Sequence, residues 1–487
     1  MASGFSWTEL GVDPARVFVI RNAEVNSRGS FVLYWCQVVH RVPFNHALHA
    51  AVALGNHLGK PVVCYHAVRP DYPHASDRIH AFILDGLGEL SQAMAAAGIP
   101  YWLELPRRPE EHRPRLRELG RRAAAVVSDW HPTFVVPRHL AAAADVLEGP
   151  LFAIDAACVV PARRIAESQV GAYALRPKLR KLWPTYLHQP LPMPTPVHAA
   201  AAARLDPGFP QAEPAEKLRL ELETFAVDHS VPPVTSRPGG RASALLELRH
   251  FVETGLAHFD QARNQPSGEH NSGLSAALHL GLLYAGEVAQ AALAAFGPEH
   301  PGVMTFLEEL LVRRELGFNY CLYTPLPAQL RLGSLPPWAQ KTLAAHAGDT
   351  RAPLYRAEQL DRGETHDPLW NAAQRQLREE GRIHGYLRML WGKKVLEWSP
   401  SPQEALDRMA FLNDRYALDG RDAVSIGNFM WVLGLHDRPF QERPILGKVR
   451  PMSSARTAAK VELGPYLKRW GGEDARGFRI PRKRIRA

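Results

Sequence analysis

Three tryptophans in the C-terminal half of the chain have a spacing that could support electron transfer. Trp391 and Trp398 are seven residues apart, which on a helix puts both rings on one face, about 10 Å apart along the axis. Trp370 precedes the same helical region. Tryptophans at helical spacing more often pack a core than carry electrons. The spacing alone therefore favours packing and leaves electron transfer as the alternative.

Metal and disulfide chemistry is not indicated by the cysteines and histidines. The four cysteines lie far apart in sequence, at Cys36, Cys64, Cys158 and Cys321. They form no CxxC pair, so we expect neither a disulfide framework nor a structural zinc site. His46 and His49 are three residues apart, but no third ligand stands near them in sequence. We interpret them as helix-surface histidines and predict no metal site.

The first 160 residues have the pattern of an α/β domain. Six short apolar runs predict buried strands at 16–20, 31–35, 62–65, 101–105, 124–128 and 151–155. Amphipathic helical patterns lie between several of them, as at 44–58 and 78–97. This alternation favours a Rossmann-like domain with a parallel sheet and helices on both faces. Neither GxGxxG nor the P-loop motif occurs, so a glycine-rich dinucleotide site or an ATPase is not predicted.

The composition then divides the chain into further regions. Residues 187–240 contain many prolines, as in QPLPMPTP and VPPVTSRPGG, and predict a long interdomain linker with a short helix near 217–225. The pattern from 241 to 470 is helical. We therefore predict an N-terminal tail (1–15), an α/β domain (16–186), the linker, an all-α domain (241–470) and a basic tail (471–487).

The charge of the chain suits a polyanionic partner. The formal net charge is +9, and neutralising phosphates is the largest general contribution to DNA affinity. The densest charge lies in the C-terminal tail, which we interpret as a solvated segment rather than a specific DNA-binding arm. There is no apolar run long enough to span a bilayer and no signal-peptide pattern. We expect a soluble cytoplasmic protein that does not contact membranes.

Several longer motifs occur in one order and spacing. They include LWNAAQ, GRIHGYLRMLWGKKVLEW, YALDGRD, LHDR and ERPILGKVRPM in the second half, and FVLYWCQVVHRV, IDAACVVPARR and LRPKLRKLWP in the first. Together they resemble the class II cyclobutane pyrimidine dimer DNA photolyases over nearly the whole chain. The resemblance implies an antenna-type α/β domain, a long linker and a helical FAD-binding domain.

The resemblance also implies roles for residues around the flavin ring. Trp391, Trp370 and Trp398 correspond to the tryptophans that pass an electron to photoexcited oxidised flavin. Asn413 resembles the asparagine that contacts flavin N5. Arg388 and Asp419 resemble the ion pair beside the isoalloxazine, although a plain buried salt bridge would look the same in sequence.

The FAD phosphates have their own expected contacts. The turn NSGLS resembles the family's hydroxyl-rich turn that opens a helix, and it supplies Asn271, Ser272, Leu274 and Ser275. Arg313 matches the arginine that reaches the diphosphate. Phe259 stands where a tyrosine often contacts phosphate, so one hydrogen bond is expected to be missing. The chain also departs from its relatives in two stretches. One is 276–283, and the other is 423–430, where the relatives carry a turn that contains proline and glycine.

The lesion site is expected on neighbouring segments. Glu309 resembles the carboxylic acid that hydrogen-bonds the dimer, with Glu315 as the alternative in the same glutamate-rich motif. Trp431 and Met389 resemble the apolar residues that hold the flipped-out bases. The expected phosphate contacts are basic: Lys448, Arg450 and Lys393, where a solvated helix face is an equal interpretation for Lys393.

The resemblance thus implies light-dependent repair of cyclobutane pyrimidine dimers by a monomer that uses reduced FAD and binds damaged DNA. It leaves open whether an antenna chromophore is bound, and which one. Two alternatives are a cryptochrome-like blue-light receptor without repair activity and a DNA-binding protein that has lost its flavin.

Overall fold

The computed structural model describes residues 5–473 except 108, 112, 188–190, 213–218 and 269. The basic tail lies largely outside this range. The described residues form two compact units. The first unit comprises the residues up to Ala166, Arg180–Leu248 and Leu274–Ala291, and the second comprises Glu167–Leu179, Arg249–Gly273 and the residues from Ala292 onward. The predicted domain limits stay predictions.

A mixed β-sheet forms the centre of the first unit. Its strands are β1 (Val17–Arg21), β2 (Phe31–Cys36), β3 (Val62–Ala67), β4 (Tyr101–Glu104), β5 (Ala123–Asp129) and β6 (Leu151–Ile154). In the described residues their order is β1-β6-β5-β2-β3-β4. All six lie within two residues of the predicted runs, which confirms the α/β prediction for this region.

The sheet differs from the prediction at one edge. β1 pairs with β6 in antiparallel fashion, whereas the other four pairings are parallel. Hydrophobic periodicity reports that a strand is buried but does not report its direction, so a fully parallel sheet could not be distinguished from this one.

Both faces of the central strands are covered. Every residue of β2 and of β5 is buried, which is the pattern of strands that have helices on each side. Val32, Tyr34 and Cys36 of β2 share a core with Leu48 and Val52, on the helix that follows β2. Phe5 and Val12, from the predicted N-terminal tail, are also part of this core.

The helices continue to the end of the described chain. Their bounds are α1 (His46–Leu58), α2 (Asp77–Ala96), α3 (Arg113–Arg122), α4 (Val136–Val146), α5 (Ala172–Tyr186), α6 (Ala199–Ala202), α7 (Arg241–Thr254), α8 (Phe259–Ala262), α9 (Ser275–His279), α10 (Ala285–Phe296), α11 (Pro301–Leu307), α12 (Arg314–Tyr323), α13 (Pro337–Ala345), α14 (Ala357–Arg362), α15 (Pro368–Glu380), α16 (Gly385–Trp398), α17 (Pro402–Tyr416), α18 (Ala423–Val432), α19 (Ser454–Lys460) and α20 (Gly464–Trp470). Short 3-10 turns occur at Pro14–Arg16, Pro109–Glu111, Ala162–Arg164, Arg219–Thr224, Leu256–His258, Leu326–Ala328 and Leu332–Ser334. The predicted helix near 217–225 is thus a 3-10 turn where it is described. No helix in the described ranges is both long and apolar enough to cross a bilayer.

Several helices of the second unit begin at residues suited to cap them. Asp367 accepts hydrogen bonds from the backbone of Leu369 and Trp370 at the start of α15, and Ser401 caps α17. Asp422 accepts from the backbone nitrogen of Val424 at 2.8 Å. Side-chain acceptors at these positions satisfy amide groups that the helix leaves unpaired. The divergent stretch 423–430 is therefore helical, as part of α18.

A π-helical turn, Glu308–Arg313, joins α11 to α12. Such a turn inserts an extra residue into a helix and occurs often at functional sites. It coincides with the glutamate-rich motif that contains Glu309 and Arg313.

Candidate functional site

The three predicted tryptophans form one contiguous array. The rings of Trp391 and Trp370 are stacked, with centroids 6.3 Å apart and planes 3° from parallel. Trp370 meets Trp398 edge to face, with a centroid distance of 5.6 Å. All three are buried. Trp391 and Trp398 lie on α16, as their spacing predicts, and Trp370 of α15 contacts both.

Hydrogen bonds fix two of these rings. The indole N–H of Trp370 donates to the backbone carbonyl of Trp391 at 3.0 Å, and that of Trp391 donates to Oε1 of Gln374 at 2.9 Å. A buried indole N–H without an acceptor would cost about 1–3 kcal/mol. These acceptors therefore hold the two rings in a single orientation.

The array continues toward solvent through residues that the sequence did not single out. The Trp398 ring contacts His366 at 5.3 Å and Tyr355 at 5.4 Å between centroids. The Tyr355 hydroxyl hydrogen-bonds Nδ1 of His366 at 2.6 Å. Contacts between rings on separate segments leave no spacing signal in sequence. His366 is exposed, so the aromatic contacts extend from the core to the surface.

A buried ion pair lies one helical turn from Trp391. Arg388 of α16 donates to both carboxylate oxygens of Asp419 at 3.1 Å, and both side chains are largely buried. Nε of Arg388 has no hydrogen-bond partner among the described residues. Asn413 of α17, also buried, donates to Oδ1 of the neighbouring Asp414 at 3.1 Å. The Asp419 carboxylate therefore orients the Arg388 guanidinium, which keeps the N–H at Nε as a donor for another group.

The π-turn carries charged side chains that form ion pairs, and one of these side chains lies over a half-buried tryptophan. Glu308 accepts two hydrogen bonds from Arg176, at 2.7 and 2.8 Å, and Glu309 pairs with Arg263. The guanidinium of Arg313 lies 4.9 Å above the ring of Trp431. A cation in this position is attracted to the indole face.

The two candidate glutamates of this motif differ in accessibility. The side chain of Glu309 is 40% exposed, whereas Glu315 is 5% exposed. Met389, the predicted apolar contact for the lesion, is half-buried on α16. Of the two glutamates, Glu309 is the one that a large ligand could reach without a change in packing.

The predicted phosphate turn is divided between the two units. Asn271 and Ser272 belong to the second unit, and the amide of Asn271 lies 2.6 Å from Nε2 of His384. Burial lowers the pKa of His384 to about 4, so this ring is neutral near pH 7. Leu274 is buried and Ser275 exposed in the first unit. Their proposed contacts stay predictions from the resemblance.

Phe259 has apolar surroundings. It is buried against Phe251 and Phe306, with centroid distances of 5.7 and 5.4 Å. These edge-to-face contacts are typical of an aromatic core. The side chain of Phe259 therefore cannot donate a hydrogen bond to a phosphate, as the sequence indicates.

The predicted basic contacts separate into buried and exposed groups. Lys393 is fully buried and donates to the carbonyl of Val432, so both interpretations of it, phosphate contact and solvated face, are wrong. Burial lowers its pKa to about 7. Lys448 and Arg450 are exposed. Arg450 lines a cavity together with Tyr386, Phe440, Arg443, Arg456 and Lys460. This cavity has a basic lining suited to phosphate.

Comparison with known sequences identifies the family. The sequence model of the DNA photolyase family matches residues 32–196. A deoxyribodipyrimidine photo-lyase of Methanothermobacter thermautotrophicus is 32% identical over 458 residues, covering 94% of this chain and 98% of that protein. The corresponding enzyme of Potorous tridactylus is 34% identical, covering 94% of this chain and 85% of that protein.

Solved structures share the fold at low sequence identity. A cryptochrome of Synechocystis sp. PCC6803 gives a TM-score of 0.68 at 16% identity, covering 90% of this chain and 88% of that one. An archaeal photolyase from Sulfolobus tokodaii gives 0.64 at 15% identity, covering 92% and 91%. The predicted fold class, an α/β domain followed by a largely helical region, is therefore confirmed. From its similarity along nearly the full length of these relatives, the chain belongs to the DNA photolyase family of enzymes.

Proposed function

We propose that this photolyase is of the class II type and reverses cyclobutane pyrimidine dimers in DNA, using blue light and reduced FAD. The observation that carries the proposal is the array of three buried indoles, which begins one helical turn from the Arg388–Asp419 pair. Core packing alone does not require that ring contacts lead from these buried indoles to an exposed imidazole, that of His366.

A flavin fits the residues around that ion pair. Arg388 is held by Asp419 and retains a buried Nε–H without a partner among the described residues, which is a donor for an anionic or carbonyl group. When bound, FAD would absorb the light and supply the one-electron chemistry. The similar Sulfolobus tokodaii structure was solved with two FAD molecules.

The chain's own residues orient and tune that cofactor in this proposal. The Arg388 guanidinium favours a negative charge on the reduced ring, and Asp419 fixes the guanidinium. Asn413 supplies an amide for the ring nitrogen. Asn271, Ser272 and Arg313 are the proposed phosphate contacts in the second unit. Trp391, Trp370 and Trp398 carry an electron inward when the cofactor is oxidised.

The lesion would be held by residues near the π-turn. Glu309 is accessible to hydrogen-bond the dimer, and its pairing with Arg263 keeps the carboxylate positioned until the lesion arrives. Trp431 and Met389 offer apolar surfaces for stacking the extruded bases. Lys448 and Arg450 are exposed cations suited to DNA phosphates. One electron given to the dimer breaks the two bonds that join its pyrimidines and is then returned, so the net reaction consumes no reductant.

The proposal is tested with purified protein, reduced FAD and an oligonucleotide carrying one thymine dimer. We expect thymine absorbance to return under blue light and to remain absent in the dark. Failure of repair in folded, yellow protein would contradict the proposal and favour a light receptor. Failure of the protein to bind FAD would favour a DNA-binding protein without flavin.

The electron path is tested separately with Trp391→Phe. We expect this variant to lose photoreduction of oxidised FAD while chemically reduced enzyme still repairs the oligonucleotide. Trp470→Phe is the matched control, since Trp470 is a buried tryptophan of the same unit that is not part of the array. Loss of repair by chemically reduced Trp391→Phe would show that Trp391 is structural.

A further inference from the structure

A cluster of sulfur and nitrogen ligands lies in the first unit, apart from the residues discussed above. Cys36 is the last residue of β2 and pairs in register with His66 of β3. His40 follows in the loop after β2. One ligand atom from each of these three residues lies within 4.8 Å of the others, and all three residues are buried. The parallel pairing of β2 with β3 brings together side chains that are 30 residues apart in sequence.

Each imidazole in the cluster has one nitrogen held by the protein. Nδ1 of His66 hydrogen-bonds the Tyr101 hydroxyl at 2.7 Å, and His40 hydrogen-bonds the backbone of Gln37. Nε2 of His40 has no hydrogen-bond partner among the described residues, although the residue is only 6% exposed. Metal-ligating histidines characteristically have one nitrogen fixed in this way and present the other to the ion.

An unpartnered buried nitrogen is not by itself a ligand. His80, also buried, has an unpartnered Nε2 and a tyrosine hydroxyl, that of Tyr72, 3.2 Å from Nδ1. In the described part of the chain, His80 is not part of a group of three potential metal ligands. What distinguishes His40 is that it has an unpartnered nitrogen and also belongs to a group that contains a thiol and a second imidazole.

A second thiol adjoins the cluster. Cys64 is fully buried on β3, two residues before His66, and shares a side-chain hydrogen bond with Cys36. The Cys36 thiol also lies 3.5 Å from the carbonyl of Val39. Two sulfurs and two imidazoles are a ligand set that favours tetrahedral zinc.

We propose that Cys36, His40 and His66 bind one Zn²⁺ ion, with Cys64 as the fourth ligand. Zinc–ligand bonds of about 2.0–2.3 Å require ligand atoms roughly 3.5 Å apart. The ligand atoms of Cys36, His40 and His66 must therefore close inward from within 4.8 Å, and the Cys64 thiol, which lies outside that group of three, must move toward them on binding. The cysteines bind as thiolates and release their protons to solvent, and the histidines bind as neutral imidazoles. No oxidation or reduction occurs.

The site is structural in this proposal. Four protein ligands leave no open position for a substrate or a reactive water. The ion would connect the ends of β2 and β3 to the loop that contains His40.

The test uses the full-length protein, stripped with a chelator, dialysed against ZnCl₂ and analysed by elemental mass spectrometry. We expect about one zinc per chain. Cys36→Ser and His40→Gln should each weaken zinc binding by about tenfold or more, because even residues beyond the coordination sphere contribute that much. The matched controls Cys158→Ser and His80→Gln change buried residues of the same unit and should retain zinc.

X-ray absorption at the zinc edge tests the wild-type protein without relying on variants that could misfold. We expect sulfur near 2.3 Å and nitrogen near 2.0 Å. Coordination by oxygen and nitrogen alone, equal zinc loss in the control variants, or a Cys36–Cys64 disulfide in the mass spectrum would each overturn the proposal. So would tight binding of Cu⁺ without binding of Zn²⁺.

Discussion

The buried lysine of α16 makes the stability of the protein depend on pH. Lys393 is fully buried, and burial lowers its pKa from 10.5 to about 7. Asp437 and Glu397 oppose this change and Arg450 adds to it. The unfolded chain binds a proton at this lysine throughout the range between the two pKa values, whereas the folded protein does not. The penalty for folding is therefore complete below about pH 7 and disappears as the pH rises through 10.5.

The size of the penalty follows from the two pKa values. It is about 5 kcal/mol at pH 6 and about 2 kcal/mol at pH 9. Lys393→Met removes the charge and keeps an unbranched side chain of similar length. It also removes the hydrogen bond to the Val432 carbonyl, which costs about 1–3 kcal/mol at either pH. We expect the variant to be more stable than wild type by about 2–4 kcal/mol at pH 6 and to have about wild-type stability at pH 9.

Urea denaturation of both proteins at pH 6 and pH 9 measures this difference. The decisive quantity is the change of about 3 kcal/mol in the stability gap between the two pH values, because the cost of the lost hydrogen bond cancels from it. Lys341→Met changes an exposed lysine and should alter stability by less than about 0.5 kcal/mol at both pH values. A stability gap for Lys393→Met that does not change with pH would refute the reasoning.

Two further substitutions test a close helix contact and the Arg388–Asp419 ion pair. In Gly317→Ala the added Cβ would lie 2.8 Å from the Ala423 carbonyl oxygen, so we expect a loss of about 1–3 kcal/mol in urea denaturation. Gly385→Ala, whose Cβ meets nothing within 4 Å, should be nearly neutral, and an equal loss in both would contradict the steric argument. Asp419→Asn removes the counter-charge of Arg388, so we expect a loss of about 3 kcal/mol of stability. We also expect a lower FAD content, measured by absorbance. Unchanged stability and unchanged FAD content would show that the ion pair contributes to neither.

Periodicity predicted the elements of the first unit, but not the direction of its edge strand. The six apolar runs fall on the six strands of the described sheet, because burial on both faces produces a short apolar run between turn residues. Strand direction depends on the route of the connection, and the residues of β1 carry no information about it.

The tryptophans show where the sequence interpretation reached its limit. Seven-residue spacing predicts that Trp391 and Trp398 share a face of α16, but it does not reveal that Trp370 of another helix contacts both. The resemblance supplied Trp370. The outward continuation through Tyr355 and His366 is not predicted by the sequence, since aromatic contacts between distant segments have no local pattern.

Lysine and cysteine show what a single residue type leaves out of a sequence prediction. The two predictions for Lys393, a phosphate contact and a solvated helix face, both place it at the surface, where lysine is usually found, yet α16 is buried on several sides. The cysteine spacing predicts no zinc site, because the four cysteines form no CxxC pair, and our zinc proposal differs from that prediction. The proposed ligands form the pairs Cys36-x3-His40 and Cys64-x-His66, which become one cluster only when β2 and β3 align.

Helix α16 couples most of the proposed functions. It carries Arg388, Met389, Trp391 and Trp398, which we assign to the cofactor, the lesion and the electron path, and it buries Lys393 among them. A rigid element that supplies several functional groups fixes their mutual geometry more accurately than separate loops would. The same arrangement means that a change which tilts α16 would alter photoreduction and repair together. Variants of this helix therefore inform on individual roles only when photoreduction and repair by chemically reduced enzyme are measured separately.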